Sequence, residues 1–151
     1  MRAEATRSAE ATHNHPEGIK GACEVAEAIF LARTGHSKQD IQRHTETRFG
    51  YRMPPIRSYL RRYRFDVSAA GSVPQALRAF LESTSFEDAV RTAVALGGDA
   101  DTQAAIAGSI AEAFYGGVPR DIAVAVLARL DDRMRATVRE FRARHGVPSP
   151  A

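Results

Sequence analysis

Residues 89–114 read AVRTAVALGGDADTQAAIAGSIAEAF, and this stretch decides how the chain is organised. Two apolar stretches with helical spacing, 89–96 and 104–114, flank the run Gly97-Gly98-Asp99-Ala100-Asp101-Thr102. The second stretch carries Ala and Ile on more than one face, and such a helix needs neighbours on several sides. A central helix surrounded by others is therefore expected. The connecting run places two carboxylates and a hydroxyl just where that helix starts. Asp99, Asp101 and Thr102 offer hard oxygen donors, which suit Mg²⁺ or Mn²⁺ rather than zinc. Gly97 and Gly98 open backbone conformations closed to other residues, so the turn can aim both carboxylates at one point. A simpler reading competes, with Asp101 as an ordinary N-cap and Gly97 as the stop of the preceding helix.

Outward from this run, nearly every periodic segment reads as helix. Pro16 suits a first helical position, and Val25, Ala26, Ile29 and Phe30 recur at helical spacing up to a Thr34-Gly35 stop. Ser37 with Asp40 at the capping-box offset starts the next helix, which runs to about Arg48. Pro54 and Pro55 open another, through Tyr63. Residues 65–73 read as irregular, and Pro74 starts a helix with Ala76, Leu77, Phe80 and Leu81 on one face. Ser85 caps the helix before the acidic run, with Glu87 and Asp88 complementing its dipole. Gly116-Gly117 ends the central helix, Pro119 opens another, and Asp131 or Asp132 caps a last, Arg-rich one. Residues 3–12 have helical composition. No segment alternates as a strand would, so the class is all-α.

At 151 residues the chain has room for one domain. Its apolar runs fall far short of the ~20 residues of a membrane span, and no leader segment is visible. The single cysteine, Cys23, excludes an internal disulfide, and the default compartment is the cytoplasm. Cys23 reads as a small buried hydrophobe. The net charge of +3 is mild, and all basic residues but Lys20 and Lys38 are arginines. Arg57, Arg61, Arg62 and Arg64, interleaved with Tyr59, Tyr63 and Phe65, form the best nucleic-acid candidate. Tyr59 and Tyr63 also read as a buried face covered by Arg stems, and nucleic acid is not the expected partner. His36, His44 and His145 read as solvated surface residues.

A second cluster, Thr12-His13-Asn14-His15-Pro16-Glu17-Gly18, precedes a helix. Backbone N–H groups and the helix dipole favour an anion there, and His13 or His15 adds a donor. A phosphate or diphosphate would fit, and Gly18 and Gly21 would allow close approach of a ligand or another helix. The plainer reading is a polar cap with both histidines on the surface.

The run from Ala95 through Thr102, with Ala104-Ala105-Ile106-Ala107-Gly108, resembles the carboxy-terminal signature of the ADP-ribosylglycohydrolases. That family includes the hydrolase that reactivates ADP-ribosylated dinitrogenase reductase. The segment 12–22 resembles an upstream signature of the same family, as do Ser72-Val73-Pro74-Gln75-Ala76-Leu77 and Phe80-Leu81. The resemblance implies an all-α, orthogonal multi-helix bundle with two divalent ions, Mg or Mn, acting on ADP-ribose or an ADP-ribosylated substrate. It implies metal ligation by Asp99, Asp101 and Thr102. It also implies a substrate-binding edge of His13, His15, Gly97 and Gly98, with His13 near the phosphates.

The family's Gly-Asp-rich opening signature, its acidic catalytic candidate and its Thr-Asp-Asp motif have no counterpart here. Residues 1–146 are therefore expected to be the carboxy-terminal part of an incomplete domain, with 147–151 as a disordered tail. Three ligand residues cannot fill two octahedral ions. The chain is expected to be inactive alone, with a separately encoded amino-terminal half as one source of the missing ligands. A non-catalytic ADP-ribose- or nucleotide-binding module is the alternative.

Overall fold

Several helices begin where capping side chains satisfy the first backbone N–H groups. A computed structural model describes residues 1–60 and 65–145 of the chain. In chain order they form α1 (Arg2–Glu10), α2 (Pro16–Arg33), α3 (Lys38–His44) with a π-helical turn (Thr45–Phe49), α4 (Ile56–Leu60), α5 (Ala69–Glu82), α6 (Phe86–Ala95), α7 (Ala100–Tyr115), α8 (Arg120–Leu127) and α9 (Asp132–His145). No strand occurs among the described residues, and the fold is all-α. Ser37 and Asp40 close a reciprocal capping box, and the Ser85 hydroxyl accepts the Asp88 N–H. Asp131 accepts the Met134 N–H, and Gly116, at φ 83°, ends α7.

Two boundaries differ from the local reading. Helix α5 starts at Ala69, not Pro74, because Ser68 accepts the Gly71 N–H and nucleates the helix earlier. Pro74 then lies inside the helix and forfeits the bond to the Ala70 carbonyl. Burial of Gly71, Ser72, Val73 and Pro74 offsets that loss. A Cβ on Gly21 would meet Ala69 Cβ at 3.0 Å, so α2 and α5 approach closely at this point. The helix after Ser37 changes to π geometry at Thr45, whose hydroxyl donates both to the Ile41 carbonyl and to Glu24. The expected continuation of α4 through Tyr63 and the tail at 147–151 lie outside the described residues.

The unit Met1–Gly117 is built around α7, which packs against α2, α5 and α6. Ala76, Ala79, Ala93 and Ala107 are fully buried where α5, α6 and α7 meet. Larger side chains, among them Phe80, Ile41, Leu77 and Ile110, fill the adjoining core, which also buries Cys23. Lys38 reaches across this unit to the Phe80 carbonyl at 2.9 Å and the Tyr115 hydroxyl at 2.9 Å. The unit Val118–Ala151 holds α8 and α9. Within it Ala123 is buried, Arg135 donates to the Leu127 carbonyl, and Val124, Val126, Met134 and Phe141 are exposed.

A buried polar layer lies under α2. Glu24 is fully buried, and desolvation pushes its carboxyl up from 4.5 to about 7 despite the Thr45 hydroxyl. Glu27 accepts from His44 Nε2 at 2.7 Å, which corrects the expectation of a solvated His44.

Because the folded value at Glu24 lies above the ordinary one, ionisation opposes folding. Wild-type stability should therefore fall as pH rises from 4.5 towards 7 and stay low above it. Glu24→Gln removes the charge and should gain about 3 kcal/mol on the alkaline side, with little difference on the acid side. Urea denaturation of both proteins on each side of that range measures this; an identical gap at every pH would mean that Glu24 does not titrate there.

Candidate functional site

The link between α6 and α7 is shaped by two glycines. After the C-cap Leu96, which is buried, Gly97 and Gly98 take φ values of 74° and 65°. Both lie in the left-handed region that disfavours a Cβ. The chain reverses there and delivers Asp99 to the N-cap of α7, one helical position before Ala100. The local reading had Asp101 as the competing cap; the cap is Asp99, and Asp101 lies in the first turn.

Asp99 holds the cap position without capping through its side chain. The neighbouring Asp99 side chain, followed by the backbone N–H groups of Thr102 and of Asp101 itself, holds the Asp101 carboxyl below the usual carboxylate range. Two ionised carboxylates brought together repel, and a cation relieves that repulsion. Asp101 and Thr102 are exposed and Asp99 is half-buried, so a hard cation could reach all three from solvent. The donor types fit Mg²⁺ or Mn²⁺, but three side chains fill only part of an octahedral shell. No group of three or more His, Cys, Asp or Glu that could hold a metal occurs among the described residues.

Gln103 was missed in the sequence. It is fully buried, its N–H bonds the Asp99 carbonyl at 3.1 Å, and its Nε2 donates to the Gly97 carbonyl at 3.1 Å. This side chain ties the glycine turn to the helix that follows. A glutamine on the apolar stripe of Ala107, Ile110 and Ala111 is the signal that could have found it.

The histidine cluster forms the turn between α1 and α2. His15 is the N-cap of α2, and its Nδ1 accepts the Glu17 N–H at 3.2 Å, which leaves the ring proton on Nε2. His13 is exposed and pairs through Nδ1 with the Thr12 hydroxyl at 2.8 Å. A Cβ on Gly18 would meet the His13 carbonyl oxygen at 2.9 Å, so this glycine lets the turn fold back over α2. Gly21 serves the approach of α5 described above. The acidic and histidine clusters start α7 and α2, which pack together, with no polar bond between the clusters among the described residues.

The other candidates diverge. His36 pairs with the Thr34 hydroxyl and is exposed, as is His145. Arg57 is exposed, and half-buried Tyr59 donates to the Arg52 carbonyl at 3.4 Å. Arg61, Arg62, Tyr63 and Arg64 lie outside the described residues. No helix among the described residues is long and apolar enough to cross a membrane.

A family model, ADP-ribosylglycohydrolase, matches residues 1–149. No curated protein and no solved structure matches the chain.

Gly97→Ala should destabilise the protein by about 1 kcal/mol, because a Cβ is strained at this φ of 74° even with open space around it. The urea midpoint of the variant measures the loss, and an unchanged midpoint would mean that the turn relaxes freely.

Proposed function

The chain belongs to the ADP-ribosylglycohydrolase family, and from that membership we propose that it serves hydrolysis of ADP-ribose glycosidic bonds. In this reading Asp99, Asp101 and Thr102 form the metal-facing edge of the site. The observation that carries it is Asp99, an N-cap aspartate that makes no side-chain bond to the helix N–H groups and stands two residues before the exposed Asp101. Divalent ions of this family, Mg or Mn, supply Lewis-acid polarisation when bound. The chain's own part is to hold two carboxylates and a hydroxyl at one exposed helix start. Gly97 and Gly98 leave room beside them for a sugar to approach.

The turn before α2 is the phosphate-facing edge. His13 donates to the diphosphate of ADP-ribose, and the dipole of α2 adds to the attraction. His15 keeps its Nδ1 on the helix and presents Nε2–H outward. Three oxygen ligands are too few for two six-coordinate ions. Turnover therefore draws further ligands from a separate polypeptide segment, and this chain alone binds ADP-ribose without hydrolysing it. The donor count equally suits a binding module without turnover, and metal titration separates the two.

Calorimetry with Mn²⁺ should give a binding isotherm for the wild-type chain and an affinity at least tenfold lower for Asp101→Asn. Equal affinities would remove the acidic run from the metal site and leave the binding-module reading.

His13→Ala should weaken ADP-ribose binding about tenfold, the loss of roughly 1.5 kcal/mol expected for a donor to a charged group. Its thermal unfolding should be unchanged, since His13 is exposed. An affinity equal to wild type would make His13 a surface residue only.

A further inference from the structure

A cavity of about 330 Å³ opens between α1, the first turns of α2 and the π-helical turn. Its apolar wall is formed by Ile19, Cys23 and Phe49, and three cationic side chains, Arg2, Lys20 and Arg48, also line it. None of these residues belongs to the acidic run or to the His13–His15 turn.

The three cations form ion pairs that are longer than hydrogen bonds. Arg2 Nε stands 3.7 Å from Glu27 Oε1, and Arg48 Nε stands 3.9 Å from Glu27 Oε2. Both distances exceed a hydrogen bond, and the short contact to Glu27 belongs to His44 at 2.7 Å. Lys20 Nζ is 3.6 Å from Glu17. Glu17 and Glu27 thus stand at ion-pair distance from the three cations, and Glu24, whose buried carboxyl is pushed up to about 7, also faces Lys20. The guanidinium and ammonium groups make no hydrogen bond to these carboxylates and keep N–H donors for a further anion. Aromatic rings hold two of them in place: Arg2 lies 5.6 Å over Phe49, and Lys20 lies 4.3 Å over Tyr51.

We propose that this cavity binds a small organic phosphate ester. Its phosphate lies among Arg2, Lys20 and Arg48, and its compact apolar body lies against Phe49, Ile19 and Cys23. A dianion matches the excess of cationic donors, and guanidinium groups pair phosphate oxygens bidentately. The volume is at the small end of pockets for organic ligands, which favours a single ring over a dinucleotide. The cavity adjoins the histidine turn through Pro16, which also lines it, but its cations are not part of the proposed ADP-ribose edge, and the assignment does not rest on that reading.

Nuclear magnetic resonance titration of the full chain with phenyl phosphate, inorganic phosphate and phenol is the test. Phenyl phosphate should shift the resonances of Ile19, Cys23 and Phe49 and bind at least tenfold more tightly than either fragment. The double variant Arg2→Gln, Arg48→Gln should lose about tenfold in that affinity. Lys20→Gln leaves the Glu27 cluster untouched and should lose severalfold, so it carries the test if the double variant unfolds. Phenyl phosphate binding no better than inorganic phosphate would reduce the cavity to surface charge. Shifts centred on His13 or on the start of α7, or variants that bind as wild type does, would overturn the assignment.

Discussion

Close contact between α5, α6 and α7 is the constraint on which the rest of this fold depends. Ala76, Ala79, Ala93 and Ala107 are fully buried where these helices meet, with Ile56, Ala104 and Ile106 packed against them. A Cβ on Gly108 would already touch Val90 Cγ2 at 3.4 Å. Small residues let the helices approach, and the gain is dispersion and burial spread over many weak contacts. The position of the acidic run follows from this. Leu96 is buried at the end of α6, Gln103 is buried at the start of α7, and the glycine turn spans what separates them.

Polar groups then tie the outer helices to that centre. The Lys38 ammonium, at the start of α3, meets the carbonyls of Phe80 and Ser83, the last residues of α5 and its C-cap. A cation at a helix carboxyl end is favoured by the dipole, and it adds to the bonds that the Ser83 N–H and hydroxyl already donate to the Phe80 carbonyl. The same ammonium lies within 5.5 Å of the ring centres of Phe80, Phe114 and Tyr115. Beneath α2, Glu24 with Thr45 and Glu27 with His44 link that helix to the π-helical turn and α3. The Glu24 site is the weaker support, since an ionised carboxylate there has lost its water.

The two clusters of functional interest use helix starts in opposite ways. At α2 the cap is filled by His15, and exposed His13, paired with the Thr12 hydroxyl, stands beside it. At α7 the cap residue, Asp99, makes no side-chain bond to the helix, and a second carboxylate, Asp101, follows in the first turn. The first arrangement attracts anions and the second attracts cations, which suits a family whose substrate carries a diphosphate and whose chemistry uses divalent ions.

Most helix starts were legible in the sequence because they rest on bonds within a few residues. Ser37, Ser85, Pro16 and Pro119 mark their helices through local capping and fixed φ. The central place of α7 was legible too, since Ala and Ile on several faces demand neighbours. The misreadings involve partners distant in the chain. Pro74 reads as a helix start, yet burial of its segment and the contact of Ala69 with Gly21 carry α5 through it. His44 reads as solvated, yet Glu27 waits for it one helix away. The sequence by itself determined the all-α class, the acidic run, the histidine turn and the kind of ligand each could attract, because residue type and spacing are local properties. Only the tertiary structure decided that Asp99 rather than Asp101 caps α7, that Gln103 anchors the turn, and that Arg2, Lys20 and Arg48 share one cavity, because those outcomes depend on which helices bury against each other.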